Sequence, residues 1–488
     1  MIPQLQTDTP RRRWSALALI VTAQFMVILD VAIVNVALPS IKSDLGFSQT
    51  GLQWVITAYA ILFGGALLLG GRLADLLGRR RMFVAGLALF AVSSLLCGLA
   101  WSSGSLVGFR ALQGLGGALL APAALSLLMT TFAEGRERNL ALGIYGAASG
   151  SGAAAGVLLG GVLTSYLGWS WIFFVNVPVG VAAIALAPVL LREGRSELLH
   201  RHFDLAGAAS ITSGLMLLVY ALTRATTDGW SSPVTLGLLG GAAALVAAFV
   251  AIELRSRWPL LPLRIFRLRA LSAANATMAI VGAVAFSEFF VLSLYLQGVL
   301  HYSAVQGGVA FSAFALTVVV ASNVAQLVVG RVGARATLSA GLAVSAVSVA
   351  LLARLPVDGH YFWDLFPAFV LGGAGMGFSF VPVTIASLTG VDRTEAGVAS
   401  GLVNTSRQIG GAIGLATVST IAASATSGYA HSHALAVTSA PAAVHGFQLS
   451  LEVLGGLLLV ALAIAAVFLR PARERAEEVD APELQEAA

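Results

Sequence analysis

The chain has 488 residues, 58% of them hydrophobic and only 10% charged, with a net charge of +5. A soluble protein needs about 25% charged residues to cover its surface, so this composition and a mean hydropathy of +0.88 exclude a water-soluble fold and describe an integral membrane protein. The basic residues fall in short segments between apolar runs, which reports membrane orientation rather than nucleic-acid binding, and the single cysteine, Cys97, excludes an internal disulfide or a cysteine metal site.

A helix crosses the bilayer with about 20 apolar residues. Fourteen runs approach or exceed that length: 14-39, 51-71, 82-101, 104-131, 140-165, 171-191, 205-223, 234-254, 270-298, 305-330, 336-355, 363-389, 396-425 and 446-470. Arg11, Arg12 and Arg13 precede the first run as they would precede a signal peptide, but the run continues to Pro39, well past an apolar region of about 7 to 15 residues. It reads as a retained first span.

Charge tests the count. With the N-terminus cytoplasmic, the inner segments hold 23 of the 28 Lys+Arg, including Arg72, Arg79, Arg80, Arg81, Arg136, Arg138, Arg264, Arg267, Arg331 and Arg335. The outer segments hold Lys42, Arg224 and Arg354, while Arg110 and Arg407 fall inside spans. The positive-inside rule thus supports fourteen spans and cytoplasmic termini. A faint repeat relates Gly71 to Arg81, after the second run, to Gly330 to Arg335, after the tenth, and suggests two six-span halves. The expected organisation is an N-terminus 1-13, a six-helix bundle 14-191, two extra spans with basic flanks 192-269, a second bundle 270-470 and an acidic, solvated tail 471-488. The segment from Thr426 to His445 reads as a flexible loop; the spacing of His431, His433 and His445, without carboxylates, argues against a metal site.

Within the fifth run, Ala148, Gly152, Gly156 and Gly160 recur every fourth residue and share one helical face. Glycine in a helix costs about 1 kcal/mol relative to alanine, so this stripe needs a packing reason: a static helix crossing or a moving contact.

A charge at mid-membrane costs at least about 2.5 kcal/mol, so Asp30, Arg110, Glu288 and Arg407 each need a partner or an aqueous cavity. At about 1.5 Å per residue, Asp30 lies roughly 24 Å above the inner end of its helix and Arg110 roughly 9 Å below the outer end of its own. These depths nearly match, so the two can pair, either as a fixed ion pair or as a functional one. Glu288 reaches a similar depth in the ninth run among Phe286, Phe289 and Phe290, aromatic surface suited to flat apolar or cationic molecules or simply packing. Arg110, Gln113, Gly114 and Gly117 share a face of the fourth run, as do Ser400, Asn404, Arg407, Gln408 and Gly411 of the thirteenth.

These motifs together carry a resemblance. Gly143 to Gly161 resembles the fifth-helix antiporter motif of drug exporters, with Val157 where proline is usual. Gly71, Asp75, Gly78, Arg79 and Arg80 resemble the cytoplasmic loop motif, with Leu76 where a basic residue is commoner. Leu29 to Pro39, Phe109 to Gly114, Trp171 to Gly180 and Asn404 to Gly411 resemble further markers in the expected order. The chain looks like the fourteen-spanner drug:proton antiporter branch of the major facilitator superfamily, over nearly its whole length.

The resemblance implies an all-α integral membrane protein, two six-helix bundles plus two extra central helices, working as a proton-coupled drug or antibiotic efflux antiporter by alternating access. Solute:proton symport is the alternative. The expected proton-coupling residues are Asp30 and Arg110. Glu288, Phe286, Phe289, Phe290, Gln113, Asn404, Arg407 and Gln408 are expected to bind substrate, and Gly71, Asp75, Gly78, Arg79, Gly152, Gly156 and Gly160 to gate. The expected partners are hydrophobic cationic or neutral small molecules and the lipid bilayer, with no nucleic acid; the coupling ion is a proton, with no other cofactor and no metal, in a monomer of the bacterial cytoplasmic membrane. The only lysine, Lys42, follows Ile41, so no nucleotide-binding P-loop exists, and no catalytic motif assembles, so no enzyme is expected.

Overall fold

The computed structural model describes residues 10–132, 136–193, 204–256, 263–388 and 396–469, with positions 259, 261 and 391 between them. Among these residues the regular structure is entirely helical. The first half contains α1 (Pro10–Leu45), α2 (Trp54–Leu77), α3 (Arg79–Gly98), α4 (Ser103–Thr131), α5 (Arg136–Tyr166) and α6 (Asn176–Leu190). Two further helices follow, α7 (Leu205–Asp228) and α8 (Pro233–Arg255). The second half begins with α9 (Arg269–Leu294). One 49-residue element, Ala304–Leu352, then passes through Gly333, whose φ of 85° and ψ of 162° break it into α10 (304–332) and α11 (334–352). The chain closes with α12 (Phe366–Leu388), α13 (Ala396–Ser432) and α14 (Ala440–Phe468).

By length and composition, twelve helices among the described residues can cross a membrane, two fewer than the fourteen expected from the runs. In that tally Ala304–Leu352 stands as one helix, and α5 supplies only a shorter apolar stretch, Ser151–Tyr166.

Local sequence explains the helix ends. Ser102 and Ser303 start α4 and α10 with reciprocal capping boxes to Ser105 and Gln306, satisfying backbone N–H groups that a helix leaves free. Between α2 and α3 the chain turns on Gly78 at φ 114°, a conformation open to glycine and strained for other residues. The Thr426 to His445 segment differs from the flexible loop expected. Thr426–Ser432 continues α13 and Ala440 starts α14, with Tyr429 stacked on His433 at 4.0 Å and near His445 at 4.5 Å, so aromatic packing extends the helix past the apolar run.

Both halves pack in the same order. α1 lies on α5 and α6, and α2 and α3 lie on α4; in the second half α9 lies on α13 and α14, and α10 and α11 lie on α12. The first-half core is apolar, built around Ile20, Phe83, Phe90, Leu127, Leu128 and Phe132. A larger cluster fills the second half and joins Ile33, Val36 and Ala37 of α1 to Phe290, Val291 and Leu294 of α9. α7 packs against α8 and against both α2 and α13; Gln53 donates to Thr223 Oγ1 at 2.8 Å, and Thr420 donates to Leu222 O at 3.2 Å. It thereby covers the seam between the halves on one side.

The seam is closed at the end of the molecule away from the arginine-rich turns. Ser293 donates to Asn35 O at 2.7 Å, Gln297 to Val36 O at 2.8 Å, and Val305 N to Ser165 Oγ at 3.3 Å. A Cβ on Gly308 of α10 would stand 2.7 Å from Val157 O of α5, so glycine is what allows these two backbones to meet.

Candidate functional site: a paired acid and an unpaired one

Two residues the hydropathy profile places at similar depth, Asp30 on α1 and Arg110 on α4, are in contact. Arg110 Nη1 donates to Asp30 Oδ2 at 2.6 Å, with both side chains fully buried at 2% exposure or less. The carboxylate accepts two more bonds, from Gln113 Nε2 at 2.8 Å and from Asn176 Nδ2 at 2.9 Å. Gln113 Oε1 in turn accepts from Arg110 Nη1 at 2.6 Å and from Cys97 Sγ at 3.7 Å. Arg110 Nε donates to Val55 O of α2 at 3.0 Å, and the guanidinium lies 4.4 Å over the Tyr59 ring. Asn176 also donates to Ser94 Oγ at 3.1 Å, which itself donates to Phe173 O at 2.9 Å. Helices α1, α2, α3, α4 and α6 thus contribute to one network. A buried ion pair recovers its desolvation cost only when its remaining hydrogen-bond capacity is filled, and here it largely is.

Asn176, Tyr59, Ser94 and Cys97 were not among the residues expected at this site. One signal existed for Asn176: a lone amide in the apolar run Trp171 to Leu191. Gln113, expected among substrate-binding residues, is wholly enclosed here with both ends of its amide engaged, so it belongs to the ion-pair network.

The glycine stripe of α5 builds the wall behind Asp30. A Cβ on Gly152 would stand 3.0 Å from Phe25 O, one on Gly156 2.7 Å from Leu29 O and one on Gly160 2.9 Å from Ile33 O. Its partner is therefore α1 of the same half, not the opposite half as a gating role requires. The face that meets α10 holds Val157, Gly161 and Ser165. At about 100° per residue that face is turned by one position from the stripe.

Glu288 occupies the matching place in the second half. It is 5% exposed and points into a small cavity of about 10 Å³ lined by Val281, Val284, Ser345, Gly372, Met376, Ser379 and Leu458. These residues come from α9, α11, α12 and α14, as the partners of Asp30 come from α4 and α6. Among the described residues no cation or donor meets Glu288 Oε1. The three phenylalanines expected around the acid point elsewhere. Phe289 stacks on Phe311 at 5.0 Å and meets Phe314 edge-on at 5.1 Å, Phe286 packs on the backbone of α13 at Gly411, and Phe290 is buried in the core. Successive helical side chains diverge by 100°, so neighbours in sequence do not converge on one ligand.

On α13, Arg407 Nη2 donates to Asn404 Oδ1 at 2.9 Å, and its guanidinium lies 5.8 Å from the Phe380 ring of α12. Both Asn404 and Arg407 are half-buried. Gln408 is buried against α2, where a Cβ on Gly64 would stand 2.8 Å from it. The residues expected to line one substrate site thus occupy several places: the ion-pair network, the second-half interior, the α13 face and the seam.

At the α2–α3 turn, Arg80 and Arg81 lie 3.5 and 3.6 Å from Glu193, just beyond α6, and a Cβ on Gly78 would strike that carboxyl. Arg79 is half-buried beside them, and Gly71 makes no close approach, its nearest neighbour Pro122 lying 3.6 Å from a Cβ. The side chain of Asp75 lies outside the described residues.

Residues 20–415 match the Major Facilitator Superfamily profile. The chain belongs to the major facilitator superfamily. It is 40% identical over 96% of its length, and 93% of the relative's, to a puromycin resistance protein, pur8, of Streptomyces alboniger. It is 42% identical over 85% of its length, and 86% of the relative's, to the cephamycin export protein CmcT of Amycolatopsis lactamdurans. The fold matches the transporter PepTSo of the POT family with a TM-score of 0.71 at 15% identity, covering 97% of this chain and 99% of that one. A bacterial homolog of the human lysosomal transporter Spinster matches with a TM-score of 0.67 at 15% identity, covering 95% and 98%. The paired acid in one half and the unpaired acid in the other therefore belong to a multi-span membrane transporter of the major facilitator fold.

Proposed function

We propose that this chain is a proton-driven exporter of hydrophobic, cationic or neutral antibiotics, working by alternating access in a bacterial cytoplasmic membrane with both termini inside. Fourteen crossings fit this reading, with α10 and α11 each crossing once on either side of Gly333 and α5 crossing along its full length. Support for the substrate class comes from relatives named for puromycin resistance and cephamycin export, aligned over most of the chain. A coupling role for the first half rests on one observation, the burial of the Asp30 carboxyl among side-chain donors from Arg110, Gln113 and Asn176. Protonating Asp30 cancels its attraction to Arg110 and removes one acceptor site, so a proton at this point reorganises five helices at once.

The seam supports alternating access. It is closed at the arginine-poor end by short polar contacts and close glycine backbones, few enough to break together. If the arginine-rich turns face the cytoplasm, this is the state closed to the outside. Asn404, Arg407 and Phe380, half-buried on the second-half face, are the residues we assign to substrate contact. We assign no catalysis to any group.

The test uses proteoliposomes with an acidic lumen and labelled puromycin outside, comparing wild type with Asp30→Asn. Wild type should accumulate the label against its gradient and the variant should not. Accumulation that instead follows an alkaline lumen would identify a symporter and overturn the antiport reading.

A further inference from the structure

We propose that Glu288 is a second proton site beside Asp30, which in this conformation holds its proton as a neutral acid against one water molecule in the cavity between α9, α11, α12 and α14. This inference rests on the proton-driven reading and deepens it by placing a coupling proton in each half.

Three observations carry it. The carboxyl is buried and Oε1 has no hydrogen-bond partner. The space it points into, about 10 Å³, is the smallest that admits a water, which needs roughly 10–15 Å³. The lining has polar groups for that water: besides the acid, it holds the hydroxyls of Ser345 and Ser379 among otherwise apolar neighbours. Ser379 Oγ donates to Gly375 O at 2.8 Å, which leaves its lone pairs to accept from a water.

Among the described residues, nothing charged or titratable lines the cavity from α11, α12 or α14, so none offers charge compensation there. On α13, Arg407 donates to Asn404 and lies over Phe380, and on α1 Asp30 is engaged by Arg110. Glu452 of α14 is exposed. An ion here would be uncompensated in a low-dielectric interior, whereas a neutral acid needs only a hydrogen-bond acceptor, which one water supplies. A metal cation is disfavoured by the donor set, since hard cations take six or more oxygen ligands and one carboxylate with two hydroxyls falls short.

The chemical step is a single proton transfer. When α9 and α12 part enough to admit solvent, the O–H bond of the Glu288 carboxyl breaks and an O–H bond forms on the water, leaving a carboxylate and a hydronium whose proton passes to that solvent. Reloading reverses it. On the α12 side the acid faces Gly372 and the unbranched Met376.

The experiment uses full-length protein in liposomes of defined phosphatidylglycerol and phosphatidylethanolamine. Infrared difference spectra across a pH series should show the carbonyl stretch of a protonated carboxylic acid in wild type and in Asp30→Asn, and its loss in Glu288→Gln. Ser379→Ala should shift that band, because it changes the partner of the acid's water; this variant decides the matter if Glu288→Gln fails to fold. Each exchanged proton multiplies the steady-state accumulation of labelled puromycin by about ten per imposed pH unit, so Glu288→Gln should accumulate about tenfold less than wild type per unit. Its gradient-free counterflow exchange should continue.

A band unchanged in both Glu288→Gln and Ser379→Ala overturns the inference. So does a Glu288→Gln protein that responds to the pH gradient as wild type does, with Asp30→Asn unresponsive; the antiport reading survives in that case. Wild type with no response to the gradient overturns the antiport reading and this inference with it. Accumulation that follows a sodium gradient and is abolished in Glu288→Gln makes the site a cation site instead.

Discussion

Asp30 and Glu288 sit on the first helix of their respective halves, face the fourth and sixth helices, and are both buried, yet their surroundings differ in kind. Asp30 meets a guanidinium and two amides, and the groups behind them are satisfied in turn. Glu288 shares a water-sized space with two hydroxyls, a glycine and a methionine, none of them hydrogen-bonded to its Oε1. The repeated packing order of the halves thus fixes where an acid goes without fixing its electrostatics. What differs is the opposing helix: α4 extends Arg110 across the interface, whereas α12 presents Gly372 and Met376. One half carries an acid enclosed by donors and the other an acid facing a water-sized space.

The largest effect that can break this contrast comes from Arg110. Arg110→Leu should strand Asp30 without its counter-charge and lower stability by about 3–5 kcal/mol, read as a fall in the thermal midpoint of the detergent-purified protein. Adding Asp30→Asn should restore much of that loss. A small effect in the single variant would mean that Gln113 and Asn176 alone hold the carboxylate, and the first half would then be no more locked than the second.

A middle-sized effect separates packing within a half from packing between halves. Gly156→Leu should cost about 1–3 kcal/mol, because its side chain must displace α1 at Leu29, next to Asp30. Gly308→Leu, on the seam against Val157, should leave each bundle intact and open the arginine-poor end. Maleimide labelling of a cysteine placed at Ser165 should rise in Gly308→Leu and not in Gly156→Leu. Equal labelling in the two would return the α5 stripe to the gate.

The smallest effect sharpens the contrast from the other side. Glu288→Gln keeps the shape of a neutral acid and loses no donor, so its thermal midpoint at mildly acidic pH should change by less than about 1 kcal/mol equivalent. A loss as large as that of Arg110→Leu would reveal an ion-pair partner for Glu288 and erase the difference between the halves.

Much of this protein follows from its sequence because hydropathy and charge act along one coordinate, depth. The apolar runs give helices that can span, and the arginines cluster in the turns at one end. The pairing of Asp30 with Arg110 was also legible, since two charges at one depth with few alternatives must find each other. Azimuth was not legible. Which neighbour the Gly152, Gly156 and Gly160 face would meet, whether Glu288 would share its surroundings with Phe286, Phe289 and Phe290, and that Asn176 and Tyr59 would close around the ion pair all depend on how each helix is rotated about its own axis. A turn of about 100° moves a residue from one partner to the next at unchanged depth. In a bilayer no hydrophobic gradient between helices fixes that angle; close packing of small residues and interhelical hydrogen bonds do, and these exist only once the helices have assembled.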